Sequence, residues 1–280
     1  MSSNIAIVTD STAYLTQDEV DRYGILVVPL TVNFEERTMT DGNVDSVEFF
    51  KQVDASSKLP FTSQPSVGQF KECYEELLNQ GKEIISIHIS SKLSGTPQSA
   101  MNAAQMLDPG KISVVDSELV AEALAFLVRA ASEWAARGAD REEITSKLEK
   151  EKKKIKVNFT PDTLEYLKRG GRIGGAQALL GTLLQIKPVL TIKDGYIEAL
   201  DKVRTRKKGV NRLLQELPVD KKIKVAVVYV MVKDEAEKLK EYISENYPNL
   251  EEITVRELGP VVSIHGGPRL LGLIYWPLED

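Results

Sequence analysis

Cysteine is almost missing from this sequence. Cys73 is the single one in 280 residues, so no intrachain disulfide can form, and a reducing compartment is the expectation. Histidine is nearly as scarce, with only His88 and His265. One cysteine and two histidines cannot make a His/Cys-rich metal centre. Basic residues are not in surplus either: the formal net charge is −5, which argues against a nucleic-acid binder. No apolar run approaches the ~20 residues needed to span a bilayer. The opening Met1-Ser2-Ser3-Asn4 has no basic stretch and no small-residue cleavage site, so no signal peptide is expected and the protein is placed in the cytoplasm. The familiar catalytic and cofactor signatures are lacking too. There is no G-x-S-x-G elbow, P-loop, G-x-G-x-x-G, H-E-x-x-H or C-x-x-C, so neither a cofactor nor a metal is expected.

What remains is a chain of ordinary globular make-up, 42% apolar and 28% charged, long enough for two domains. Its first half alternates short apolar runs (Ile5 to Val8, Ile25 to Val28, Leu30 to Phe34, Ile84 to Ile89, Ile112 to Val115) with amphipathic segments. That alternation predicts an α/β domain with a parallel sheet flanked by helices. Ser66 and Gln69 form a capping box for a helix closed by Gly81, Ala121 to Ala136 reads as a strong helix, and Asp140 with Glu143 starts another. The charge-dense stretch Glu149 to Lys156 reads as an exposed helix face. A domain boundary at its end gives domains 1–156 and 157–280.

The second half is expected to be α/β with some antiparallel pairing. Pro161 is expected to open a short helix to Lys168. Asp194-Gly195 predicts a hairpin turn, and Ala176 to Ile186, apolar nearly all round, predicts a buried helix. Arg169 and Arg172 flank glycines ahead of it, where an anion or an acidic partner could dock on a helix N-terminus.

Four segments hold more hydroxyls and glycines than packing requires: Thr9 to Thr12, Phe61 to Pro65, Ile89 to Thr96, and His265 to Pro268. In a parallel sheet, ligands bind beyond the carboxyl ends of the strands, where the first and third of these fall. Each also reads as a plain turn or cap. Serine and threonine hydroxyls can donate to, or accept from, a single carboxyl head. Ser94 with His265 could instead be a nucleophile and base, the pattern of a serine hydrolase or acyltransferase, although no third member is evident. His88, inside a strand, reads as structural.

In these same residues the sequence resembles the DegV family, the fatty-acid-binding proteins that work with bacterial fatty acid kinase. The matching segments are Val8 to Thr12, Thr62 to Ser66, Ser90 to Thr96 with Gln98 to Ala100, Val115 to Ser117, Leu164 to Ile173, and His265 with Gly267-Pro268 and Gly272. They occur in family order over essentially the whole chain. The resemblance implies two α/β domains with a long-chain fatty acid, such as palmitate, buried between them and bound non-covalently. It implies that Thr62 and Ser94 hold the carboxyl head, with Ser63, Gly95 and His265 as further ligand-binding residues. It also implies that the protein is not itself an enzyme: it presents the carboxylate to a separate kinase, with Arg169, Arg172 and Arg204 as candidates for contacting that partner or the new phosphate. Transient membrane contact for lipid exchange is compatible with this picture. Gly266 and Arg269 depart from the family's usual H-T-G-P-G.

Overall fold

The computed structural model describes residues 4–180 and 186–278. The first stretch contains strands β1 (Ile5–Asp10), β2 (Leu26–Val28), β3 (Thr31–Asn33) and β4 (Thr38–Thr40), with helices α1 (Gln17–Tyr23) and α2 (Ser46–Asp54). It continues with β5 (Phe61–Ser63), α3 (Val67–Asn79), β6 (Glu83–His88), α4 (Thr96–Met106), β7 (Ile112–Asp116), α5 (Glu122–Ala136) and α6 (Arg141–Glu151). Then come β8 (Lys156–Thr160), α7 (Glu165–Arg169), β9 (Lys187–Lys193), β10 (Tyr196–Val203), α8 (Arg206–Leu214), β11 (Ile223–Tyr229), α9 (Lys233–Asn246), β12 (Leu250–Glu257), α10 (Pro260–Gly266) and β13 (Leu271–Pro277).

The chain divides into two compact units. The first comprises Met1–Gly42 and Thr62–Lys153, the second Asn43–Phe61 and Lys154–Asp280. The division after Lys153 lies close to the expected end at 156, but residues 43–61 belong with the second unit rather than the first. The reason is visible in α2. Ser46 donates through N and Oγ to Glu257 Oε1 (3.0 and 2.5 Å), and Met231 N donates to Ser46 Oγ at 2.8 Å. The Phe50 ring meets Tyr166 edge-on, with centroids 5.9 Å apart. A polar cap and an aromatic face thus tie this helix to β11, β12 and α7.

The first unit has the expected parallel sheet, in the order β2-β1-β6-β7. Isoleucine and valine dominate its strands because branched side chains pack well on a pleated, doubly covered surface. Helices α3 and α4 cover one face through Phe70, Tyr74, Ala100 and Ala103, packed on Ala6, Val8, Ile84 and Ile112. Helix α5 packs on β1 and β6, and α6 on β6 and β7. The predicted caps form. Ser66 and Gln69 exchange bonds at 2.9 and 3.2 Å, Glu143 N donates to Asp140 Oδ1 at 2.8 Å, and Gly81 ends α3 at φ +77°. The charge-dense stretch differs from expectation at Lys152, which is buried and paired with Glu118 and Glu149 at 3.0 and 2.8 Å.

The second unit is built on a six-stranded sheet, β10-β9-β8-β13-β11-β12, in which only β11 and β12 run parallel. Asp194-Gly195 makes the predicted hairpin turn between β9 and β10, with both residues at positive φ (50° and 82°). The helix expected from Pro161 begins instead at Glu165, whose N–H is capped by Thr163 Oγ1 at 3.2 Å. The buried helix expected over Ala176 to Ile186 is also corrected. Gly174–Leu179 is a short 3₁₀ turn in which Ala176 is buried while Gln177 and Ala178 are exposed, as is Leu180 after it; residues 181–185 of that expectation lie outside the described residues. The glycines explain the turn. A Cβ on Gly174 would lie 2.3 Å from the Ile197 carbonyl oxygen. The turn therefore lies flat on β10, a closeness that only glycine permits.

Candidate functional site

Strand order reverses beside β1. The chain goes from β1 to β2 on one side, then reaches β6 and β7 on the other. Such a switch point opens a crevice beyond the carboxyl ends of the two central strands. Asp10 to Thr12 end β1 there, and Ile89 to Gly95 follow β6.

Asp10 holds these two strand ends together. Its Oδ2 accepts from Ile89 N at 2.9 Å and contacts His88 Nδ1 at 3.0 Å, while its Oδ1 accepts from Thr12 N and Thr12 Oγ1 at 3.1 and 2.5 Å. His88 Nε2 lies 2.6 Å from Ser86 Oγ, and Tyr74 OH donates to Ser86 Oγ at 2.7 Å. With Nδ1–H donating to the carboxylate, every bond finds a donor and an acceptor: Tyr74 to Ser86, Ser86 to His88, His88 to Asp10. This is a Ser–His–Asp arrangement, but Asp10, Ser86 and His88 are all 0% exposed, so no substrate carbonyl can reach the serine. It is structural, as read for His88. Burial pushes the Tyr74 hydroxyl well above its ordinary pKa, which keeps it a donor.

The loop after β6 is wound tightly. Leu93 N and Ser94 N both donate to Ser90 O at 3.0 Å. Ser94 Oγ lies 2.9 Å from Thr96 Oγ1 and accepts from Thr96 N at 3.3 Å. Gly95 is the N-cap of the eleven-residue α4 and contributes no capping side chain. The segment carrying Thr62 and Ser63 is brought to the same place. Gln64 Nε2 donates to Gly95 O at 3.0 Å and to Ser99 Oγ at 2.7 Å, and Asn33 Nδ2 donates to Ser63 Oγ at 2.9 Å. Thr62, Ser63, Ser94 and Gly95 are all half-buried. The first unit thus assembles four of the five candidate ligand-binding residues.

The fifth, His265, stands near the end of α10 in the second unit. Its ring packs on Gly170: a Cβ there would lie 2.1 Å from His265 Nδ1. Gly267, at φ +79°, lies under the Tyr166 ring, where a Cβ would be 2.5 Å from Cδ2. Gly170 of the Arg169-Gly170-Gly171-Arg172 motif therefore makes room for a histidine 95 positions away, whereas a Cβ at Gly171 would meet nothing. Burial, reinforced by the Arg172 guanidinium, pushes His265 down to about 4.

A neutral, half-buried imidazole has a testable consequence. Because the folded pKa lies below the ordinary ~6.5, the unfolded chain binds more protons between those values, and stability falls as pH drops from ~6.5 to ~4. His265→Gln is expected to remove up to ~3 kcal/mol of that loss while changing little above pH ~7. Urea midpoints at pH about 4.5 and about 7 check it. A gap between the two proteins that does not change with pH would refute it.

Comparison with known proteins decides the family. A family model described as "Uncharacterised protein, DegV family" matches residues 4–278. The chain belongs to the DegV family. A DegV domain-containing protein of Streptomyces coelicolor is 39% identical over 98% of this chain and 99% of its own. Among solved structures, "Fatty Acid Binding of a DegV family Protein from Thermus thermophilus" matches at TM-score 0.91 and 40% identity, covering 98% of this chain and 99% of that one. DegV of Bacillus subtilis, described as a fatty acid binding protein, matches at TM-score 0.90 and 36% identity over 99% of this chain and 100% of its own.

The remaining candidates of this DegV chain lie in the second unit. Arg169 is exposed and pairs with Glu165 at 2.7 Å. Arg172 donates from Nη1 to Gly170 O at 2.5 Å, beside His265. Arg204 is exposed between β10 and α8. Among the described residues, the element that follows Arg172 directly is the short 3₁₀ turn Gly174–Leu179 rather than a long helix. Arg269 turns to Glu235 at 3.5 Å, and its carbonyl accepts from Arg206 Nη1 at 2.7 Å. A Cβ on Gly266 would meet Leu270 Cδ1 at 2.6 Å. Gly266 thus lies against Leu270, and Arg269 lies beside Glu235 and Arg206. Among the described residues, no cluster of His, Cys, Asp or Glu could hold a metal ion, and no helix is long and apolar enough to cross a membrane.

Proposed function

We propose that this protein binds a long-chain fatty acid such as palmitate non-covalently, with Thr62 and Ser94 on the carboxyl head, and presents that head to a fatty acid kinase. The observation that carries the reading is the hydroxyl-lined switch point of the first unit in a chain that matches fatty-acid-binding DegV structures end to end. Hydroxyls suit a single carboxyl group, since they donate to either oxygen without adding charge. The amino end of α4, following Ser94, adds a favourable dipole for a carboxylate. His265, neutral at physiological pH, serves as a further polar contact, and Arg169, Arg172 and Arg204 face the kinase or the new phosphate. The protein itself catalyses nothing in this reading. The Ser–His–Asp array is sealed in the core, and Ser94 Oγ is engaged with Thr96.

Native mass spectrometry after gentle purification tests the ligand: a co-purified mass equal to a fatty acid supports it. Clean apoprotein that also fails to take up palmitate overturns it. Mixing the loaded protein with a bacterial fatty acid kinase and ATP should yield acyl phosphate. Hydrolysis of an acyl ester, or a covalent acyl group on Ser94, would favour a serine hydrolase instead.

A further inference from the structure

Gln64 is exposed, yet both hydrogens of its carboxamide are directed at one place. They go to Gly95 O (3.0 Å) and Ser99 Oγ (2.7 Å). The same Gly95 O accepts from Ser99 N at 3.1 Å, the opening bond of α4, so both of its lone pairs are engaged. A Cβ at Gly95 would lie 2.1 Å from Gln64 Oε1 and 2.8 Å from Cδ and Nε2. The backbone of Gly95, at φ −76° and ψ 7°, is one that other residues adopt, so conformation does not demand glycine here. The demand comes from the amide lying flat on it.

We propose that Gln64 is a positioning residue. Its carboxamide locks the segment carrying Thr62 onto the turn carrying Ser94, sets the spacing of the two hydroxyls, and is the reason position 95 is glycine. The inference rests on the fatty-acid reading for its ligand. It replaces direct ligand contact by Gly95 with an indirect role, and the two differ in how substitutions combine. Gly95→Ala expels the Gln64 amide, so it should reproduce Gln64→Ala, and the double variant should be no worse than either single. Direct contact by Gly95 would make the losses multiply.

The test measures binding of palmitate and of methyl palmitate to wild type, Gln64→Ala, Gln64→Glu, Gly95→Ala and the Gln64→Ala/Gly95→Ala pair. Gln64→Glu keeps the length of the side chain but, ionised, has no hydrogen to donate. Each single variant is expected to weaken palmitate about fivefold, the effect of roughly one net hydrogen bond. Methyl palmitate, which lacks the carboxylate, should change by less than about twofold, and the double variant should match the singles within about twofold. Wild-type palmitate affinity in both Gln64 variants overturns the proposal, as does a double variant weakened about 25-fold. Equal losses for the ester also overturn it, since they mark general damage to the fold. If wild type binds neither lipid, the fatty-acid reading fails and the positioning role falls with it. Additive shifts in melting temperature among the four ligand-free proteins of the cycle would sink the clamp itself.

Discussion

Asp10→Ala is expected to destabilise the first unit by about 3–5 kcal/mol, the largest stability loss foreseen for a single polar side chain in this protein. Four hydrogen bonds end on this carboxylate, from His88 Nδ1, Ile89 N, Thr12 N and Thr12 Oγ1. Asp10, His88 and Thr12 are all 0% exposed, so water cannot replace the lost acceptor. Each buried donor left unsatisfied costs ~1–3 kcal/mol, with some relief from local relaxation. Asp10→Asn keeps one acceptor oxygen but turns an NH₂ toward existing donors, so it should recover only part of the loss. Urea unfolding should show a lower midpoint at unchanged slope. A loss under about 1 kcal/mol would mean that the chain from Tyr74 to Asp10 does not hold the strand ends. Since Ile89 leads directly into the Ser90 to Gly95 loop, the variant should also bind palmitate more weakly than its stability loss alone explains.

These two sites mark what could and could not be read in the sequence. The parallel sheet of the first unit was legible because runs such as Ile84 to Ile87 announce doubly covered strands, and Ser66, Gly81 and Asp140 mark helix ends by local chemistry. Thr62 and Ser94 were singled out through ordered motifs, and their segments are brought together by Gln64. That linkage was not legible, because Gln64 reaches across 31 residues to Gly95, and Asp10 across 78 to His88. No periodicity reports a pairing at such separation. The same holds for Gly170, whose partner, the His265 ring, lies 95 positions along the chain. The insertion of residues 43–61 into the second unit was hidden for the same reason: its anchors, Glu257 and Tyr166, lie far along the chain. The apolar stretch from Ala176 misled in the opposite way. Composition alone suggested a helix, but Gly174 and Gly175 fit a turn pressed onto β10.

Shortening the ligand should cost far more affinity than any change at the carboxyl end. On the fatty-acid reading, replacing palmitate by octanoate withdraws eight methylenes from burial, worth about 6 kcal/mol at ~0.8 kcal/mol each. Ordering the longer chain offsets part of that, so the expected loss is about 10²- to 10⁴-fold in Kd. Ser94→Ala, by contrast, removes one neutral hydrogen bond, ~0.5–1.5 kcal/mol, and should weaken palmitate by no more than about tenfold. The asymmetry follows from what each group offers. The tail gains by leaving water over its whole length, whereas the head exchanges water's hydrogen bonds for those of Thr62 and Ser94 at little net gain. The hydroxyls should therefore matter most after binding, by fixing where the carboxylate points. With a bacterial fatty acid kinase present, Ser94→Ala should cut acyl phosphate formation, at saturating fatty acid, more deeply than it cuts affinity. Isothermal titration across a saturated series from eight to eighteen carbons checks the first part, and a kinase assay on loaded protein the second. A Kd that hardly varies with chain length, together with a Ser94→Ala variant that binds and serves the kinase like wild type, would leave neither the tail nor the head its assigned part.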